Sequence, residues 1–214
     1  MSDIIGIKRE NSKTRIDQLA SGLLKMEELA IFKNLTIFIA GSYARDEASI
    51  HSDIDLFFIL DGKLESIPNH RTASMRAFSR IIDEADRLSF PAFSNDGEFL
   101  KILERPEITK ELGGRNDDYF NFFTARMLLL LESKPVYGKH TYDEVIKEIV
   151  GAYFRDYTHH PKDFKPIFLI NDIIRFWKTL CVTSREVVGL FSEQFRLESV
   201  PVFHRLQGGL AAQG

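Results

Sequence analysis

Asp53 and Asp55, separated by one residue, open the apolar run Leu56-Phe57-Phe58-Ile59-Leu60. In an extended chain alternate side chains share a face, so the two carboxylates project together while Ile54 and Leu56 point the other way, into a core. Neighbouring carboxylates repel each other at neutral pH unless a cation lies between them. The cation that prefers clustered carboxylate oxygens in phosphate chemistry is Mg2+ or Mn2+. About ten residues upstream stands Gly41-Ser42, at the end of the β-rich run Leu35–Ala40. Gly permits close backbone approach, the N–H groups of such a turn can cradle an anion, and the Ser42 hydroxyl adds a donor.

Each signal is weak alone. A Gly-Ser pair can be any turn, and an Asp-x-Asp can be a solvated strand edge. The combination is more specific, because carboxylates at the head of an apolar strand are costly without a partner. A phosphate cradle beside a two-carboxylate metal site suits in-line displacement at phosphorus on a nucleoside triphosphate. Arg45, three residues after Ser42, is a candidate phosphate contact, with pairing to Asp46 or Glu47 as the plainer reading. Asn171, Arg175 and Lys178 are spaced to share one helical face and could offer cations to a triphosphate from the other side of a cleft, with Ile170, Ile173, Ile174 and Trp177 as the buried face. The alternative is an exposed polar face on a bundle helix. Tyr43 could stack on a base or simply pack.

Several elements must position these residues. The spacing predicts helices over Ser12–Phe32, Arg71–Leu88, Tyr119–Glu132, Tyr142–Tyr157 and Pro166–Val182. Strands are expected at Leu35–Ala40, Asp53–Leu60 and Glu98–Leu103, and the chain after Arg105 reads as all-helical. Breakers at Pro106 and Gly113-Gly114 suggest a boundary, giving a catalytic domain over 1–105, a helical domain over 106–182 and an irregular or truncated tail over 183–214. The expected class is α+β, a small mixed sheet with flanking helices followed by a helical domain.

The variant Gly41-Ser42-Tyr43-Ala44-Arg45-Asp46-Glu47, followed by Ser52-Asp53-Ile54-Asp55-Leu56, resembles the nucleotidyltransferase superfamily, whose members carry a Gly-Ser turn and then an Asp-x-Asp strand. It is similar to the bacterial branch near the PII-protein uridylyltransferases. The motif covers residues 41–56, and the order helix, strand, turn, strand, helix, strand extends the likeness to about residue 105. The resemblance implies a metal-dependent enzyme that moves a nucleoside monophosphate from an NTP to an acceptor. It also implies a third carboxylate on the next core strand. The candidates are Asp96, which is preferred although Ser94-Asn95-Asp96-Gly97 also reads as a turn, and Glu98.

Composition narrows the partners. The formal net charge is −3, which gives no strong nucleic-acid signal and argues mildly against an RNA-tailing polymerase. One cysteine, Cys181, excludes an intrachain disulfide, and its place in an apolar helical run suggests a buried core residue. No apolar run approaches the ~20 residues of a membrane span, and no stretch at the N-terminus has signal-peptide character. The chain is expected in the cytoplasm. The acceptor is left open as a protein, a small molecule or a nucleic-acid end. A toxin–antitoxin-type protein adenylyltransferase and a degenerate nucleotide-binding regulatory module are the competing functions.

Overall fold

A computed structural model describes residues 2–93, 97, 99–110, 112–159 and 161–183. The tail expected over 183–214 lies, but for its first residue, outside the described residues, as do Asp96 and Glu98. The chain divides into two compact units, with the division between Ile146 and Lys147.

The first unit is a four-stranded mixed sheet flanked by helices, the α+β arrangement expected. Its strands are β1 (Leu35–Ala40), β2 (Leu56–Leu60), β3 (Ile102–Glu104) and β4 (Ser133–Tyr137), in the order β3-β2-β1-β4. β1 runs antiparallel to β2, with Leu35 opposite Leu60 and Ile39 opposite Leu56, and antiparallel to β4. β3 is parallel to β2, with Phe58 opposite Ile102. β1 and β2 are the central strands and are buried along their whole length, which is why both read as continuous apolar runs rather than alternating ones.

One face of the sheet packs on helices α1 (Ser2–Leu23) and α3 (His70–Arg87). Leu19 and Leu23 of α1 and Ala77, Ile81 and Ala85 of α3 meet Ile37 and Ile39 of β1 and Leu56 and Phe58 of β2 in one core. The helical spacing of 77, 81 and 85 puts a single apolar stripe on α3, as the 3.6-residue repeat requires. The other face carries Phe38 and Phe57, stacked at 5.2 Å between ring centroids, with Tyr142 and Phe99 tilted against them.

Several boundaries differ from expectation. The chain past Arg105 is not all-helical: β4 pairs with β1, so the sheet draws on residues well beyond the predicted 1–105 domain, and the compact unit runs to Ile146. Ser133-Lys134-Pro135-Val136-Tyr137 hides this because it carries little apolar content and a Pro, which a sheet accepts only at an edge, where β4 lies. Gly138, at φ +63°, follows it directly, and a side chain there would collide with the Leu35 carbonyl. The third strand is shorter than 98–103, spanning Ile102–Glu104. The helix expected over 119–132 starts three residues later, as α6 (Phe122–Leu131), because Asn121 adopts the left-handed conformation, and a separate short helix, α5 (Arg115–Tyr119), precedes it. Between α1 and β1, Glu27–Leu29 forms a 3-10 turn, so the first helix stops at Leu23.

Short helix α4 (Arg105–Lys110), α5 and α6 are tied by a buried ion pair. Arg126, 0% exposed, makes two hydrogen bonds to Asp117, at 2.9 and 2.6 Å, and donates to the Ile108 carbonyl at 3.2 Å. Asp117 also accepts from the Gly113 amide. Paired in this way, neither charge is left orphaned in the core.

The chain enters the second unit within helix α7 (Lys139–Tyr153), and helix α8 (Ile167–Thr183) follows. The Tyr153 hydroxyl donates to Asp172, and Phe164 packs on Phe154 and Tyr157. The inner stripe of α8 holds Leu169 and Phe176, both buried, so the expectation that Ile170 and Ile174 supply the buried face is wrong: they are 44% and 48% exposed. Apolar residues lie around more than one face of this helix, and residues 169 and 176, two turns apart, define the packed one. Cys181 is exposed rather than a core residue. No described helix is long and apolar enough to cross a membrane.

Candidate active site

β1 delivers the chain to Gly41, where it turns sharply into helix α2 (Gly41–Ala44). Gly41 has φ +66°, a left-handed conformation that side chains resist. It has a second reason to be glycine. A Cβ on Gly41 would stand 2.8 Å from Asp55 Oδ2, so the carboxylate lies directly against the turn. The backbone fixes this proximity, because the Ala40 amide donates to the Asp55 carbonyl at 2.9 Å, one step past the Ile39–Leu56 pair.

Asp53 and Asp55 lie on the lead-in to β2, which begins at Leu56 and not at Asp53 as expected. Ile54 and Leu56 are each 1% exposed and belong to the main core, whereas Asp53 is exposed and Asp55 half-buried. Ile54 and Leu56 thus face the core, and the Asp55 carboxylate lies against the Gly-Ser turn. A small recess beside Asp55 is lined by Phe93, Gly97, Phe99 and Leu100. These residues flank Asp96 and Glu98 in the chain.

Ser42 is half-buried on α2, beside Gly41. Arg45 takes the plainer of its two readings, with a partner the sequence did not suggest. It donates to Glu47 at 2.8 Å and also to Glu132, which is 8% exposed and 87 residues further on. Burial works against its charge, but the hydrogen bond to Glu47 and the charges of Glu132 and Glu47 outweigh it and hold the guanidinium pKa above its ordinary value. Beside it Lys134 of β4 pairs with Asp46. These contacts staple the segment after α2 to the start of β4. Tyr43 does not stack in the open: it is buried, with its ring edge-on to Phe90 at 5.4 Å. Burial pushes its phenol above the usual 10, with Arg15 opposing and Asp53 adding to the shift.

Arg175 and Lys178 lie on α8 in the second unit, half-buried and exposed respectively. His51 is exposed. Sequence reasoning missed Arg15, Glu132 and Lys134. Each reaches the site region from a distant element, and only a polar residue type in an otherwise helical or edge-strand pattern marks it.

Among the described residues no group of three or more His, Cys, Asp or Glu is placed to hold a metal ion. The Asp53/Asp55 donor set still fits Mg2+, which binds through one or two carboxylates and completes its shell with substrate phosphates and water.

Searches of curated proteins and of solved structures return no match. A family model described as a nucleotidyltransferase domain matches residues 23–149, more than half of the chain and inclusive of all four strands, the Gly-Ser turn and both aspartates. The chain belongs to the nucleotidyltransferase domain family.

Proposed function

We propose that the protein transfers a nucleoside monophosphate from an NTP to an acceptor with release of pyrophosphate, using Mg2+ or Mn2+ held by Asp53 and Asp55. The observation that supports this reading is the closeness of the Asp55 carboxylate to Gly41, the first residue of the Gly-Ser turn. Nucleotidyltransferase domains generally use divalent metals. Bound here, such an ion supplies neutralisation of the triphosphate and Lewis-acid polarisation of the reacting phosphoryl group.

The chain's own groups divide the remaining work. The amides of Gly41 and Ser42, with the Ser42 hydroxyl, receive phosphate oxygens. A third carboxylate, Asp96 or else Glu98, accepts the proton of the attacking hydroxyl. Arg175 and Lys178 contribute positive charge to the β- and γ-phosphates. Arg45, already engaged with two carboxylates, serves the turn more than the nucleotide. The likeness of residues 41–56 to PII-uridylyltransferase-like proteins makes a protein the acceptor class to test first, with the cytoplasm as the setting.

Incubation of the full chain with Mg2+ and each NTP in turn is expected to release pyrophosphate with one NTP in preference to the others. Asp53→Asn and Asp55→Asn are each expected to abolish that release while the circular dichroism spectrum and melting transition persist. Near-parental turnover in either variant would overturn the assignment.

A further inference from the structure

Three consecutive residues hold both ends of the segment that carries Gly41 and Ser42. Lys134 and Ser133 of β4 lie opposite Ile39 and Ala40 of β1, on the strand that enters the turn. The side chain of the same Lys134 reaches Asp46, with Nζ 2.5 Å from Oδ1, and Glu132 binds Arg45. Both of these ion pairs lie past Ala44, the last residue of α2. Residues 132–134 therefore fix the chain before Gly41 through the sheet and after Ala44 through charge.

Turn geometry alone would favour glycine where Asp46 stands. α2 ends in a Schellman turn, in which the Glu47 amide donates to the Ser42 carbonyl at 2.9 Å and the Asp46 amide to the Tyr43 carbonyl at 3.2 Å. Such a turn needs a left-handed residue, and Asp46 has φ +63°. Glycine is the usual occupant, because it has no Cβ to clash. What Asp offers over Gly here is a partner for Lys134. The two side chains are 27% and 36% exposed, so solvent screens the pair and it adds little to stability. Its effect is on geometry. The Arg45 amide donates to the Gly41 carbonyl at 3.1 Å. That carbonyl shares a rigid peptide plane with the Ser42 N–H, so the anchored end of α2 sets the direction of the Ser42 amide.

We propose that Asp46 and Lys134 are positioning residues for the Gly41-Ser42 turn, and that they form, with Arg45 and Glu132, a clamp that aims the Ser42 amide at the triphosphate. The proposal rests on the reading of that turn as the seat of the NTP.

The test measures pyrophosphate release by the full chain in Mg2+, with each NTP varied to separate kcat from KM, alongside urea unfolding. Asp46→Gly removes the carboxylate and the backbone strain together. It is expected to raise KM for the preferred NTP about tenfold, below the roughly hundredfold that an ångström of misplacement can cost, with kcat near the parent's. The unfolding midpoint should be no lower than the parent's. A structural role alone would leave KM unchanged in a variant that is no less stable. Lys134→Met keeps the aliphatic stem without the charge and should raise KM to the same extent. Lys134→Arg keeps the pair and should hold KM near the parent's. The double variant Asp46→Gly with Lys134→Met should be no worse than either single one, because each removes the same pair. A parental KM in Asp46→Gly overturns the clamp and leaves the transferase reading standing. A lowered midpoint in that variant also overturns it, since the pair would then hold the fold and not the turn. So does a double variant much weaker than Asp46→Gly, because Lys134 would then meet the nucleotide itself. If the parent releases no pyrophosphate with any NTP, the transferase reading falls, and the proposal with it. Should Lys134→Met fail to fold, Asp46→Gly still decides.

Discussion

At the scale of single residues, the site depends on a glycine that two separate constraints protect. Gly41 sits at φ +66°, where any Cβ is strained, and its Cα faces Asp55 closely enough that a Cβ would come within 2.8 Å of the carboxylate oxygen. The backbone term costs about 1–2 kcal/mol for an ordinary side chain. The contact with Asp55 adds a displacement of the carboxylate itself. Gly41→Ala is therefore expected to lower stability by about 1–2 kcal/mol, measured by urea unfolding, and to weaken NTP binding beyond what that loss explains. An NTP dissociation constant equal to the parent's would detach the turn from nucleotide recognition. The sequence marks the glycine as a candidate phosphate-cradle residue. Its closeness to Asp55 is not legible there, because that neighbour is fourteen positions away, on the lead-in to β2.

At the scale of elements, the three helices that follow β3, α4, α5 and α6, share the buried Arg126–Asp117 pair. α4 and α5 are short, at six and five residues, too short to be stable helices in isolation. Asp117 of α5, Arg126 of α6 and the Ile108 carbonyl of α4 meet in one buried cluster that fixes all three elements. Removing one partner strands the other charge in the core. Asp117→Ala is expected to destabilise the first unit by about 3–5 kcal/mol in urea unfolding. Asp117→Leu with Arg126→Met removes both charges and should recover most of that loss. A double variant as unstable as the single one would mean that the specific hydrogen bonds, and not the orphaned charge, hold the elements. Sequence periodicity missed α5 and began the next helix at Tyr119, since the left-handed turn at Asn121 lies among the aromatic residues Tyr119, Phe120, Phe122 and Phe123.

At the scale of the whole molecule, charge has to be supplied to a triphosphate that carries about four negative charges. In the first unit Arg45 is engaged by Glu47 and Glu132, and Lys134 by Asp46. Arg175 and Lys178 of α8 are proposed to add to that charge. A charge-assisted contact contributes about 1.5–3 kcal/mol, or roughly ten- to a hundredfold in affinity. Arg175→Ala combined with Lys178→Ala is thus expected to raise the dissociation constant for a non-hydrolysable NTP at least tenfold in calorimetric titration, with the metal dependence preserved. An unchanged constant would assign α8 a packing role.

The sequence by itself marked residues 41–56 as the candidate site: a Gly-Ser turn, an Asp-x-Asp pair, and the two apolar runs on either side. These are short-range properties, set by alternation along an extended chain and by the cost of charge at the head of a buried strand, so local pattern suffices to read them. It also determined β1 to the residue and the α+β class. Only the tertiary structure decided that the sheet takes its fourth strand from residues 133–137, that Arg45 binds Glu132, and that Arg15 and Tyr43 meet over Phe90. The physical reason is the same in each case. An edge strand buries little and pairs along one side only, and a salt bridge or a ring contact between distant elements leaves no period in either segment, so their energies exist only once the core has brought the elements together.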